Sequence, residues 1–192
     1  MITDTSPLPG FPPGQEEPLG YALPGVPELV LRRAIDGDLP FLRTLYAGLR
    51  ADELRQTQWP EATQRLFLDS QFTLQHRHFV THYAEADFWI VMHQGLPAGR
   101  FYLLRGQPSF LIVDIALLPA LRGQGIGSGL INWAKSLAAQ SGADGIDLHV
   151  DERNLAAQRL YRRLGFLPTA HEPPYFTMRW SRTAPAQSDT FS

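Results

Sequence analysis

Residues 117–139 read LLPALRGQGIGSGLINWAKSLAA and leave the chain few ways to fold. An apolar run over 110–118 ends at Pro119, and a glycine-rich turn follows: Arg122, Gly123, Gln124, Gly125, Ile126, Gly127, Ser128, Gly129. Ile126, Leu130, Trp133 or Ala134, and Leu137 then recur at the three- and four-residue spacing of an amphipathic helix. The pattern predicts strand, turn, helix. Such a turn bares the first N–H groups of the helix, which have no intrahelical partner. They lie at the positive end of the helix dipole and suit an anion, above all a phosphate. Gly125 and Gly127 leave no side chain between main chain and ligand. Arg122 adds a fork of donors and a permanent charge.

The rest of the composition narrows the function. At 192 residues with 44% hydrophobic residues, one globular domain with a real core is expected. A net charge of −2 gives no support for a nucleic-acid partner held through phosphate contacts. The absence of cysteine excludes disulfides, cysteine zinc sites, iron–sulfur clusters and a cysteine nucleophile. No apolar run approaches the roughly 20 residues that span a bilayer, and no signal peptide is visible. A cytoplasmic protein with no membrane partner is expected.

Residues 1–28 are rich in proline and glycine and predict an extended, mobile arm. A first strand is expected over 29–34. Asp36 or Asp38 is placed to cap the next helix, with Pro40 in its first turn and Phe41, Leu42, Leu45 and Leu49 on its buried face. Residues 52–58 read as a loop. A second helix opens at Trp59-Pro60-Glu61 and runs to about Tyr83, its apolar side marked by Leu66, Phe67, Phe72 (or Leu74) and Phe79. Three strands follow, over 88–93, 98–104 and 110–118, with turns at Gln94-Gly95-Leu96-Pro97 and at 105–109. Beyond the glycine turn and its helix come a strand over 146–150, a short helix capped by Asn154 and closed by Gly165, and last strands at 166–167 and 175–180. The folded domain is thus 29–180, and 181–192 is a polar tail. The order predicts an α/β (α+β) fold: a mostly antiparallel, mixed central sheet of six to seven strands with helices on both faces.

Two segments together are specific. One is the glycine turn after a strand. The other runs from Asn154 through Ala157 and Tyr161 to Gly165-Phe166, four residues beyond Val150. Their order, with a strand between them, resembles the GNAT superfamily of acyl-CoA-dependent N-acetyltransferases. The resemblance covers about 29–180 and implies a GNAT-like fold that uses acetyl-CoA as acetyl donor, without a metal. It implies that Arg122, Gly123, Gln124, Gly125, Ile126, Gly127 and Ser128 hold the pyrophosphate. The backbone of 115–117, at Ile115 and Leu117, would pair with the pantetheine arm. Asn154 would contact the cofactor, and Tyr161 would stand near the thioester sulfur. It implies an amine-bearing acceptor, small molecule or protein, and allows a homodimer, since dimers are common in the family.

The chemistry fits these parts. An amine attacks the thioester carbonyl directly. At pH 7 it must first lose a proton, at a cost of roughly 4 to 5 kcal/mol for an alkyl ammonium. The departing thiolate needs a proton or a hydrogen bond, which the Tyr161 phenol can supply. Asp114, on the strand before the turn and inside an apolar run, is the first candidate for the base. Against this stands a structural role, pairing with Arg100 or Arg105. His149, Asp151 and Glu152 are the other candidates. A sensor module that binds acyl-CoA without transfer is the alternative function. A dinucleotide-binding enzyme is disfavoured, because the glycine spacing is Gly-x-Gly-x-Gly and the turn follows a meander. His76, His78 and His82 have a metal-like look, but no acidic residue stands at matching spacing. The tryptophans read as packing, while the resemblance allows Trp59 and the Pro173-Pro174-Tyr175 turn as walls of an acceptor pocket.

Overall fold

The computed structural model describes residues 8–13, 20–23 and 28–182. Eight strands form one sheet, in the order β1-β2-β3-β4-β5-β6-β8-β7. They are β1 (Tyr21–Ala22), β2 (Leu29–Arg33), β3 (Asp87–His93), β4 (Leu96–Leu104), β5 (Ser109–Leu117), β6 (Gly145–Asp151), β7 (Leu167–Glu172) and β8 (Tyr175–Ser181). Neighbours run antiparallel except β5 and β6. The helices are α1 (Leu39–Arg55), α2 (Glu61–His82), α3 (Ile126–Gln140) and α4 (Leu155–Arg163). The sheet has one strand more than the upper expectation, since the proline-rich segment contributes β1.

Alternation along the strands separates two cores. Leu31, Phe101, Leu103, Ile112 and Leu148 face α3 and α4, where Leu130, Ala134 and Tyr161 meet them. Phe88, Ile90, Tyr102 and Ala116 face α1 and α2, where Leu42, Leu45, Phe72 and Phe79 meet them. Helices therefore cover both faces. The β3–β4 hairpin turns on Gln94 and Gly95, both at positive φ (51° and 77°), the two-residue geometry that matches strand twist.

Three local expectations are corrected. Residues 52–55 are not loop: α1 continues to Arg55, because Leu54 is buried and pulls a last turn onto the core. Asp38 does not cap α1 through its side chain; it accepts from the Ile35 N–H and pairs with Arg32, so it ties β2 to the turn before the helix. Leu66 and Leu74 do not mark the buried side of α2, being 73% and 60% exposed. The inward face is Phe72, His76, Phe79 and Val80, at three- and four-residue spacing.

Over its described residues the N-terminal arm lies against the fold. Leu8 and Phe11 pack on the α1–α2 core, and Phe11 N–H donates to Asp36 Oδ1 at 2.9 Å. The Pro9 carbonyl meets His76 Nε2 at 2.8 Å. The remainder of the arm, and residues 183–192 of the tail, lie outside the described residues. Among the described residues no helix is long and apolar enough to cross a membrane.

Candidate active site

The one parallel joint opens. β5 and β6 are paired from Ser109↔Gly145 to Ile112↔Leu148 and then part. A register shift on β5 lies at the same level: Leu103 pairs with Ile112 but Tyr102 with Asp114, which leaves Val113 as an extra residue. The extra residue turns Asp114 toward the α1–α2 side while Ile112 and Ile115 pack toward α3 and α4. Between the parting strands lies a cleft of ≈ 150 Å³, lined by residues 112–115 of β5, 148–151 of β6, Asn154 and Tyr161.

The glycine turn stands at the end of β5. Gly123 and Gly125 sit at φ 75° and 82°, and α3 starts at Ile126 directly behind Gly125. Only glycine takes this conformation without strain. A Cβ at either position would meet nothing within 4 Å, so both face open space. The N–H groups of 123–128 donate to no acceptor of the described residues, and the first internal bond runs from Gly129 N to Gly125 O at 2.9 Å. These are the N–H groups that the sequence offers for an anion. Gly127 differs: a Cβ there would point between Leu160 and Leu117, at 3.5 and 4.0 Å, rather than into open space. Arg122 is exposed with its Nε at 3.4 Å from the Leu117 carbonyl, and Gln124 Nε2 donates to the Ala120 carbonyl at 2.9 Å.

Asn154 caps α4, its Oδ1 accepting from the Ala157 N–H at 3.1 Å. Two turns on, Tyr161 is buried, 6% exposed, with its ring packed near Phe166. Burial first, and the Asp114 carboxylate second, push its pKa well above the ordinary phenol range. It is a phenol that keeps its proton. Asp114 takes the structural partner foreseen for it: Arg100 Nε donates to Asp114 Oδ2 at 2.6 Å, whereas Arg105 pairs with Asp87. His149 is exposed on the β6 wall. Asp151 accepts from the N–H and guanidinium of Arg153, and Glu152 pairs with His171 at 3.0 Å.

Two site residues escape sequence reasoning. Gln158 is 3% exposed and its Nε2 donates to the carbonyls of Asp151 (3.2 Å) and Glu152 (2.9 Å), so it holds the β6–α4 loop at the cleft mouth. Its place four residues after Asn154 and three before Tyr161, on the inward side of α4, is a signal that could have found it. Gln75 of α2, which accepts from Arg100 Nη2 at 2.8 Å, left no such signal, because only the tertiary fold brings it there. The three histidines do not converge: His76 points inward to Pro9, while His78 and His82 stack on each other at 4.4 Å. Among the described residues no group of three or more metal-type side chains is assembled.

Fold and cleft together place a turn of main-chain N–H groups without acceptors among the described residues at the end of β5 and a proton-bearing tyrosine on the cleft between the parting strands. Comparison with known proteins identifies the family. The family model for the acetyltransferase (GNAT) family matches residues 49–166, more than half of the chain. The chain belongs to that family. An aminoalkylphosphonate N-acetyltransferase of Salmonella typhimurium is 40% identical over 55 residues, covering 29% of this chain and 36% of that protein. The peptidyl-lysine N-acetyltransferase YjaB of the same organism is 38% identical over 87 residues, covering 44% and 53%. The chain thus spans about a third and about half the length of these curated relatives. Among solved structures, PaiA N-acetyltransferase from Thermoplasma acidophilum, in complex with coenzyme A, shares the fold at a TM-score of 0.63 with 15% identity over 80% of this chain and 98% of that one. RimL, a ribosomal-protein alpha-N-acetyltransferase, does so at 0.59 with 19% identity over 86% and 95%.

Proposed function

We propose that this chain is an acetyl-CoA-dependent N-acetyltransferase that moves the acetyl group to a primary amine by direct attack in a ternary complex. Three features around β5 support this: the N–H groups of 123–128 at its end, which donate to no acceptor of the described residues, the stretch beyond Ile112 that no longer pairs with β6, and the Tyr161 phenol lining the cleft between the two strands. The residues fit the donor substrate. The glycine turn offers main-chain donors to a diphosphate, and the opened edge of β5 at Ile115 and Leu117 offers backbone groups to an amide-bearing arm. Asn154, exposed at the start of α4, stands beside the same opening.

The amine nitrogen forms a bond to the acetyl carbon, the carbon–sulfur bond breaks, and the electron pair leaves on sulfur. One proton leaves the amine and one reaches the sulfur. Deprotonating an alkyl ammonium at pH 7 costs roughly 4 to 5 kcal/mol, so groups on the acceptor side contribute by receiving it. Asp114 and His149 stand on the two walls there. Tyr161 serves the sulfur. Because its pKa is raised, full proton transfer to a thiolate of ordinary basicity, pKa about 8.5, runs uphill. Its main contribution is therefore a hydrogen bond to the developing negative charge.

The acceptors in the relatives' names suggest the first probes: an aminoalkylphosphonate, a lysine side chain and a protein α-amine. Thiol release from acetyl-CoA over 2-aminoethylphosphonate, a lysine-bearing peptide and a peptide with a free N-terminus tests the proposal. Acetylation of at least one is expected. Tight coenzyme A binding without turnover on any amine would replace it by the sensor reading.

A further inference from the structure

Asp114 is the inner end of a chain of polar contacts that begins on α2. Gln75 Oε1 accepts from Arg100 Nη2 at 2.8 Å, and Arg100 Nε donates to Asp114 Oδ2 at 2.6 Å. The Arg100 side chain is only 3% exposed, and its guanidinium lies over the rings of Phe79 and Tyr102 at 5.4 and 5.5 Å. The Asp114 side chain is 21% exposed and lines the cleft. Its Oδ1 has no hydrogen bond to the described residues, and no buried side-chain oxygen or nitrogen among them is left unpartnered. Oδ1 is therefore the oxygen open to the cleft.

Position 100 faces the aromatic core beneath α1 and α2, where an apolar side chain would pack at least as well as a charge. Buried ion pairs are frequently matched or exceeded in stability by apolar replacements. The guanidinium is thus poorly explained by stability. What it does supply is a rigid hold on one carboxylate oxygen from below, itself fixed by Gln75.

We infer that Gln75 and Arg100 are positioning residues for the acetyl acceptor, holding Asp114 by Oδ2 so that Oδ1 receives an N–H of the incoming amine at the thioester. The relay stands only with the acyl-transfer function proposed above. It makes Asp114 a group that aims the amine's lone pair. It also gives α2, which contributes no residue to the cleft wall, control over acceptor binding.

The test is a double-mutant cycle on steady-state kinetics with acetyl-CoA and whichever of the three probe amines turns over. Gln75→Leu should lower kcat/KM for the amine about tenfold, the scale of one hydrogen bond to a charged group, with the acetyl-CoA KM unchanged within about twofold. Gln75→Glu keeps an oxygen for Arg100 and should recover most of the loss. In the Asp114→Asn background, Gln75→Leu should cost nothing further. Additive losses, or a Gln75→Leu protein equal to the parent, would overturn the relay while leaving the transferase intact. A parent that acetylates none of the amines would overturn both.

Discussion

Tyr161 shows how a residue's surroundings set its chemistry. It stands on α4 at the spacing of a core residue and is packed like one, yet it lines the cleft. Desolvation and the Asp114 charge both oppose the phenolate, so the hydroxyl stays protonated through neutral and mildly alkaline pH. Tyr161→Phe should lower kcat about a hundredfold while the acetyl-CoA KM moves little, since one hydrogen bond made chiefly to the developing charge is lost. In the parent, any alkaline fall of kcat should have a midpoint that Tyr161→Phe does not move, because the phenol titrates above the ordinary value of about 10. A midpoint below 9 that vanishes in the variant would show the phenol ionising in the working range. Asp114 teaches the complementary point. The sequence offered it either a base's role or a pairing with Arg100 or Arg105, and strand register decided for Arg100, fourteen residues away.

The glycine turn is legible at the element scale because its requirements are local. Positive φ at Gly123 and Gly125 and a helix beginning at Ile126 follow from neighbours in sequence. The direction of each missing side chain does not, and this separates Gly125 from Gly127. Gly125→Ala forces an L-residue into left-handed backbone at about 1 to 2 kcal/mol and puts a methyl group where the diphosphate is expected. Calorimetry should show coenzyme A binding weakened at least about tenfold. Gly127→Ala places its methyl at 3.5 Å from Leu160, in ordinary contact, and should bind coenzyme A within about threefold of the parent. Equal losses at the two positions would mean that the turn does not face the ligand as described. The amphipathic helices divide the same way. α3 was readable from its three-and-four spacing, while the apolar side read for α2 mixed inward and outward residues, and the neighbours of the helix chose among them. Leu66 and Leu74 lost to Phe72 and Phe79, because the latter meet Tyr46 and Tyr102 in the core.

At the scale of the whole molecule, residues 8–13 strap the α1–α2 layer. Phe11 sits edge-on to His76 and against Phe88, and the Pro9 carbonyl receives His76 Nε2. Burial holds the His76 pKa below its usual 6.5, against the opposing pull of the Pro9 carbonyl, with the nearby Arg100 charge adding to the fall. The unfolded chain therefore binds a proton on His76 before the folded chain does. The contribution of His76 is complete above about pH 6.5 and is lost as pH drops through the lower folded value. Thermal midpoints should fall between pH 7 and pH 5 and fall less in His76→Phe, while Phe11→Ala should lower stability by roughly 2 kcal/mol at pH 7. A His76→Phe protein with an undiminished pH slope would assign that slope to other groups. Sequence alone determined the strand–turn–helix at 110–140, the capped helix ending at Gly165, the mixed sheet and the family resemblance, since each rests on periodicity, turn chemistry or short spacing. Only the tertiary structure decided which side chains share the cleft: the opening beyond Ile112, the Gln75–Arg100–Asp114 relay and the strap on His76. Each of these joins residues far apart in the chain, and such meetings depend on strand register and helix docking, which no local pattern encodes.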